Sequence, residues 1–245
     1  MRIDILGVGF DNLTSGQAVS WADGIIKSGG KSYIVTPNPE IVTIARRDES
    51  LRAILNSAGL VLPDGVGITI AARILGTPLC ERIPGIDFAS ELLAGLSASS
   101  GSVFLLGAKP GVAEEAAKRL AQTYPELVVS GTADGYFQED EPVIRMLNEA
   151  RPDLLLVCLG APKQEFWIAK NIEALDVRLC IGLGGALDVY AGAVKRAPAA
   201  FRKLGLEWLY RLAREPSRIK RMIKLPLFVM AAIMKRIRGI WQKGN

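Results

Sequence analysis

The stretch DLLLVCLGAPKQEFWIAKNIEAL, Asp153 to Leu175, runs from an unbroken apolar segment through a glycine–proline turn into a helical pattern. A strand this apolar has no solvent face and is buried on both sides. The helix behind it supplies the crossover that a parallel neighbour needs. Similar short apolar runs occur at 2–7, 31–36, 59–63, 102–107, 127–131 and 177–185, and helical patterns separate most of them, among them 111–124 and 140–150. The sequence therefore predicts an α/β fold with a Rossmann-like, mostly parallel sheet core through about residue 190.

In such sheets ligands sit at the carboxyl ends of the strands, so the loops after the strands carry the chemistry. Here those loops are TPNPE (36–40), PDGVG (63–67), GAKPG (107–111), GTADGYF (131–137), GAPKQE (160–165) and GLGGALDVYAG (182–192). Glycine and proline crowd one edge of the sheet, where close backbone approach and helix N-termini favour a phosphate-bearing ligand. In TPNPE the prolines hold Thr36 and Asn38 in non-helical geometry, a rigid shelf that is either a simple helix cap or part of a site.

Composition removes several chemistries. The chain of 245 residues has no histidine, which excludes a Ser-His-Asp triad, a Cys-His pair and histidine-ligated metal. Cys80, Cys158 and Cys180 are odd in number and widely spaced, as expected of reduced thiols. There is no G-x-x-x-x-G-K-[ST] loop and no D-x-D pair, and GVGFDN and GLGGAL match the dinucleotide fingerprint only in part. No metal and no cofactor are expected. The chain opens directly on a strand, without a leader pattern, which predicts a protein that stays in the cytoplasm.

Charge divides the chain. Residues 195–245 carry 14 Lys+Arg against Glu207 and Glu215, whereas residues 1–194 carry 16 Lys+Arg against 23 Asp+Glu. A core of −7 thus bears a tail of +12. Within the tail KLPLFVMAAIMKRIRGIWQK (224–243) has an apolar run of ten residues, Leu225–Met234, too short for a bilayer that needs ~20. The mixture of basic and apolar residues fits a helix lying on an anionic membrane surface better than one binding nucleic acid. Two units follow, a core at 1–194 and a helical, basic, membrane-docking appendage at 195–245.

Read in order, TPNPEIV, LPDGVGI, ERIPGID, LLGAKPGVAEEA, DGYF, LGAPKQE, GLGGALDVYAG and KRAP…GLEWLYRL…EPSR resemble the WecG/TagA/CpsF family of bacterial glycosyltransferases, and within it the TagA branch. The resemblance extends to about Arg221. It implies inverting transfer of N-acetylmannosamine from its UDP donor to undecaprenyl-diphosphate-linked N-acetylglucosamine, a step that builds the wall teichoic acid linkage unit. It also implies a peripheral location on the inner face of the membrane, where the appendage helps to complete the site. Other members use other UDP-sugars, such as the uronic acid of the same sugar, and a homo-oligomer is compatible with the sequence.

Inverting transfer needs one base for the acceptor hydroxyl and cationic or dipolar groups for the departing diphosphate. Asp64, between Pro63 and Gly65, is either a turn or cap residue or, with the resemblance, the base. Arg82 either forms a surface salt bridge with Glu81 or Asp87 or binds the diphosphate, and Gln164 is the candidate for sugar or phosphate oxygens. Thr36 and Asn38 would share the crevice with Asp64, and Gly184 and Gly185 would approach the nucleotide. Asp188 either bonds uracil or ribose or caps a turn, and Tyr136 either stacks on a base or is core. Arg211, Arg218 and Arg221, spaced with Arg214 at three to four residues, are candidates for the diphosphates. A nicotinamide dehydrogenase would need the complete glycine fingerprint, and a non-catalytic membrane adaptor would leave the polar loops without a purpose.

Overall fold

The computed structural model describes residues 1–214 and 224–243. The chain begins with an antiparallel hairpin of β1 (Arg2–Ile5) and β2 (Val8–Asp11), set apart from the main sheet. The apolar pattern of 2–7 alone suggests a strand of the parallel sheet. The turn decides otherwise: Leu6 (φ 56°) and Gly7 (φ 97°) both adopt left-handed geometry, the two-residue turn whose twist matches an antiparallel pair. Asp4 Oδ2 accepts from Gly7 N at 3.1 Å, and Arg2 Nε reaches Asp11 Oδ2 at 3.1 Å across the strands. The partial dinucleotide match GVG is therefore hairpin.

Next come α1 (Ser15–Ser28), β3 (Ser32–Val35), α2 (Pro39–Ala45), α3 (Glu49–Ser57), β4 (Leu60–Val61), α4 (Val66–Leu75) and α5 (Gly85–Ala98). Thr14 opens α1 with a reciprocal cap, its Oγ1 accepting from Gln17 N while Gln17 Oε1 accepts from Thr14 N. The second half holds β5 (Ser102–Gly107), α6 (Val112–Thr123), β6 (Val128–Ala133), α7 (Asp140–Ala150), β7 (Leu154–Cys158), α8 (Lys163–Asn171), β8 (Leu179–Gly182) and α9 (Ala186–Tyr190). After it follow α10 (Ala199–Lys203), α11 (Glu207–Arg214) and α12 (Lys224–Lys243).

All six strands of the main sheet are parallel, in the order β4-β3-β8-β7-β5-β6. Alternation along the strands feeds two cores: Leu155 and Val157 point to one face with Tyr33 and Val35, while Leu154, Leu156 and Ile34 point to the other. Because every strand runs the same way, the loops after them meet on one edge. No helix among the described residues is long and apolar enough to cross a membrane.

The described part of the tail lies against the core. Helix α12 packs on α4 and α2 and places Phe228, Ala231 and Ala232 in the same apolar cluster as the hairpin and β3. Lys224 pairs with Glu40 at 2.9 Å, Lys235 pairs with Asp4, and Arg236 Nη1 donates to Leu75 O at 3.1 Å. Phe228 is 1% exposed. Phe228→Ala should therefore destabilise the protein by about 3–5 kcal/mol, the cost of a buried aromatic replaced by a cavity. Denaturant unfolding checks this; a loss below about 1 kcal/mol would mean that α12 is not held as described.

Candidate active site

The site is assembled from strand ends. Thr36, buried just past β3, donates from Oγ1 to Gly182 O at 3.1 Å and so ties the shelf to the end of β8. Asn38 caps α2: its Oδ1 accepts from Glu40 N at 2.9 Å and Ile41 N at 3.1 Å, with Pro39 in the first helical position. The shelf is thus a true cap, and it also braces the next loop. A Cβ on Gly65 would lie 3.5 Å from Pro39 Cδ and 3.8 Å from the Asn38 Cβ.

Gly65 has φ +85° and is itself the residue preceding α4. A side chain there would be strained, so glycine is what lets the chain turn directly after Asp64. Asp64 consequently stands one residue before the helix cap rather than at it, half-buried beside the shelf. Pro63 O accepts from Ile83 N at 3.0 Å, which brings the ERIPGID segment against the same turn.

That segment delivers Arg82 and the N-terminus of α5. Gly85, buried in the first turn, sits so close to the shelf that a Cβ would stand 3.0 Å from Thr36 Oγ1 and 3.1 Å from Leu183 Cδ2. Arg82 Nη2 donates to Arg202 O at 2.9 Å. Asp87, in the first turn of α5, accepts from both terminal nitrogens of Arg196 at 2.6 and 3.1 Å, and Arg202 Nη1 is 3.8 Å away. Burial pushes the Asp87 carboxyl upward, but the Arg196 bonds and the charges of Arg196, Arg202 and Arg82 outweigh it and hold it below its ordinary value. Three guanidiniums against Asp87 and Glu207, whose charge also acts on Arg196, leave this corner net positive. Glu81 is used elsewhere, accepting from Ser15 N at 2.8 Å.

On the β8 side of the same sheet edge, Gln164 in the first turn of α8 is only 3% exposed. Its Oε1 accepts from Gly184 N at 2.8 Å and its Nε2 donates to Glu165 Oε1 at 2.9 Å. A Cβ on Gly182 would come within 2.9 Å of that Nε2, so glycine at the end of β8 makes room for the amide. Gly184 adopts φ +56° and Gly185 lies exposed beside it; the Asp188 carboxylate would lie 3.5 Å from a Gly185 Cβ. Asp188 sits inside the short helix α9, and its backbone carbonyl accepts from Val194 N at 2.9 Å.

The structure thus gathers Thr36, Asn38, Asp64 and Arg82 on one side and Gln164, Gly184, Gly185 and Asp188 on the other, joined by the Thr36–Gly182 bond. Tyr136 stands apart. It follows the edge strand β6 and is 63% exposed, so it is not core. Five strand spacings separate β4 from β6, roughly 24 Å, and a ligand touching both Asp64 and Tyr136 would span the sheet. Its loop is held by Gly135 N donating to Ala108 O at 2.9 Å and by Lys163 Nζ donating to Gly135 O at 3.1 Å. Arg211 lies in α11, whereas Arg218 and Arg221 fall outside the described residues.

Sequence reasoning did not single out Glu165, Arg196 or Arg202. The first was hidden in a polar run, and the others lie more than 100 positions from the residues they meet. Cys158 and Cys180 are buried, their thiols pushed up to about 12 by burial, whereas Cys80 is exposed.

A parallel α/β sheet that sets a carboxylate, guanidiniums and glycine turns on one edge offers the groups that transfer chemistry on a phosphate-bearing substrate requires. The model of the glycosyl transferase WecG/TagA/CpsF family matches residues 3–241. The chain is also similar to proteins of Staphylococcus aureus strains MRSA252, MW2 and NCTC 8325 / PS 47, each named N-acetylglucosaminyldiphosphoundecaprenol N-acetyl-beta-D-mannosaminyltransferase. Each is 39% identical over 231 residues, covering 93% of this chain and 91% of the relative. The chain belongs to the WecG/TagA/CpsF family and is a glycosyltransferase.

Proposed function

We propose that the chain transfers N-acetylmannosamine from a UDP-linked donor to N-acetylglucosaminyl-diphosphoundecaprenol with inversion, forming the linkage unit of wall teichoic acid. The observation that carries the reading is the position of Asp64, a half-buried carboxylate on a glycine turn braced by both the Thr36–Asn38 shelf and the Arg82 segment. In a chain without histidine, a carboxylate is the natural group to take the acceptor hydroxyl proton. Arg82 and the N-terminus of α5 belong to the segment bonded to that turn through Ile83 N and Pro63 O, and they supply positive charge for the departing diphosphate. Gln164 acts from beneath, through the Gly184 amide it holds. Asp188 and the glycines of that loop serve the nucleoside, and Arg211, Arg218 and Arg221 the diphosphates.

The acceptor is lipid-linked, so the enzyme works at the membrane surface. The outer face of α12 supports docking there: Leu227, Met230, Ile233, Met234 and Ile237 are all exposed, at helical spacing on the side opposite Phe228. The location on the inner leaflet and the appendage at 195–245 belong to this same reading.

A turnover assay with a panel of UDP-sugars and a lipid-diphosphate N-acetylglucosamine analogue tests the donor; UDP-N-acetylmannosamine should be the one used. Because arginine and backbone N–H groups take the place of a metal in this reading, turnover should survive EDTA. Arg82→Ala should lose roughly 10²–10³-fold, the scale of removing one donor from developing negative charge. Loss of turnover in EDTA, restored by magnesium or manganese, would overturn the leaving-group chemistry.

A further inference from the structure

Glu165 is the most deeply buried charged side chain among the described residues, at 1% exposure, and Oε2 of its carboxyl group has no hydrogen-bond partner. Burial raises its pKa against the Gln164 hydrogen bond that lowers it. A leucine would fill such a place at less cost, because a buried carboxyl with an unpaired oxygen weakens a fold. The group must therefore do something that an apolar side chain cannot. Its one side-chain bond identifies the task, since Oε1 accepts from Gln164 Nε2 at 2.9 Å.

We propose that Glu165 is a positioning residue for the transfer reaction, acting through the amide of Gln164 on the glycine loop after β8. An amide can rotate by half a turn with little steric change, exchanging its oxygen for its NH2. Only with the oxygen toward Gly184 N is that N–H satisfied, at 2.8 Å. Glu165 fixes the choice: its Oε1 accepts whether the group is ionised or carries a proton on Oε2, so it draws the NH2 end and leaves the oxygen for Gly184. Gly182 completes the cradle by leaving the amide room, and Gly182 O receives the Thr36 hydroxyl at 3.1 Å. Glu165 thus stabilises the conformation of the loop after β8 and, through Gly182, its register with the Thr36 shelf.

The inference rests on the proposed reading only for where the loop acts, and its test includes a measurement that needs no substrate. Full-length Glu165→Leu should exchange the Gly184 amide proton at least tenfold faster than wild type, with a thermal midpoint within a few degrees of wild type, because removal of the unpaired carboxyl oxygen offsets the loss of the acceptor for Gln164 Nε2. Its kcat/KM should fall about 10–100-fold, the scale of losing a group that orients a ligand. Glu165→Gln, which keeps an acceptor oxygen within reach of Gln164, should recover turnover to within about threefold of wild type. In a Gln164→Ala background, adding Glu165→Leu should change turnover less than twofold, since the path is already cut. Equal losses in both backgrounds would overturn the proposal, as would wild-type exchange at Gly184 or a loss of turnover that merely follows a lowered midpoint. If wild-type enzyme fails on UDP-N-acetylmannosamine, the donor reading fails, while the exchange measurement still decides the part played by Glu165.

Discussion

Asp64→Asn should abolish most transfer, lowering kcat by about 10²–10⁴-fold, while UDP affinity stays within about twofold of wild type. Asparagine has the shape of aspartate and can follow Pro63 into the same turn, because the unusual backbone geometry belongs to Gly65 at φ +85°. What it cannot do is take a proton. The base acts on the acceptor hydroxyl, so the loss belongs in the chemical step and not in donor binding. Asp64→Glu is the companion: it keeps the carboxylate but moves it by about one methylene. A displacement of ~1 Å from attack geometry costs on the order of 10²-fold, so the longer acid should not restore full rate. Turnover on a lipid-diphosphate analogue and calorimetric titration of UDP, with folding verified, give the two readings. Near-wild-type turnover in Asp64→Asn would remove this residue from the role.

Much of this arrangement was legible in the residues. Doubly buried strands are written as apolar runs, and β5, β7 and β8 lie where those runs lie. A parallel sheet then sends its loops to one edge, so the glycine and proline turns that mark a phosphate-binding edge were readable without coordinates. Three features were not, each for a physical reason. The hairpin turns on Leu6, a residue type that carries no turn signal, so periodicity could not distinguish a returning strand from the start of a crossover. Glu165 follows a lysine and a glutamine, and polar neighbours on a helix read as a solvated face; burial of the first turn of α8 against β7 and β8 decides otherwise. The Arg196–Asp87 pair closes 109 positions of chain, a distance over which local pattern is silent.

The tail shows the same limit and leads to a prediction of comparable size. An apolar run of ten residues does not say which side faces inward. The structure answers by burying Phe228, Ala231 and Ala232 while leaving Leu227, Met230, Met234 and Ile237 each at least half exposed. Truncating the chain at 195 would strip α2 and α4 of their cover, so loss of function in a truncated protein would confuse folding with docking. Substituting the outer face avoids this. Replacing Leu227, Met230, Met234 and Ile237 together by serine should leave the thermal midpoint within a few degrees, because none of the four belongs to the core. Half of a fully buried side chain's transfer energy is about 1 kcal/mol, so four such faces amount to about 4 kcal/mol, roughly a thousandfold in partition onto vesicles. Salt should act less strongly than these substitutions, since Lys224, Lys235 and Arg236 are turned toward Glu40, Asp4 and the Leu75 carbonyl. Co-sedimentation with phosphatidylglycerol-containing vesicles measures the partition, and turnover should be read on both a vesicle-embedded and a short water-soluble acceptor. The quadruple variant should fail on the first and keep its rate on the second. Retained vesicle binding would show that the outer face of α12 is not the docking surface, and equal failure on both acceptors would place those side chains in the site itself.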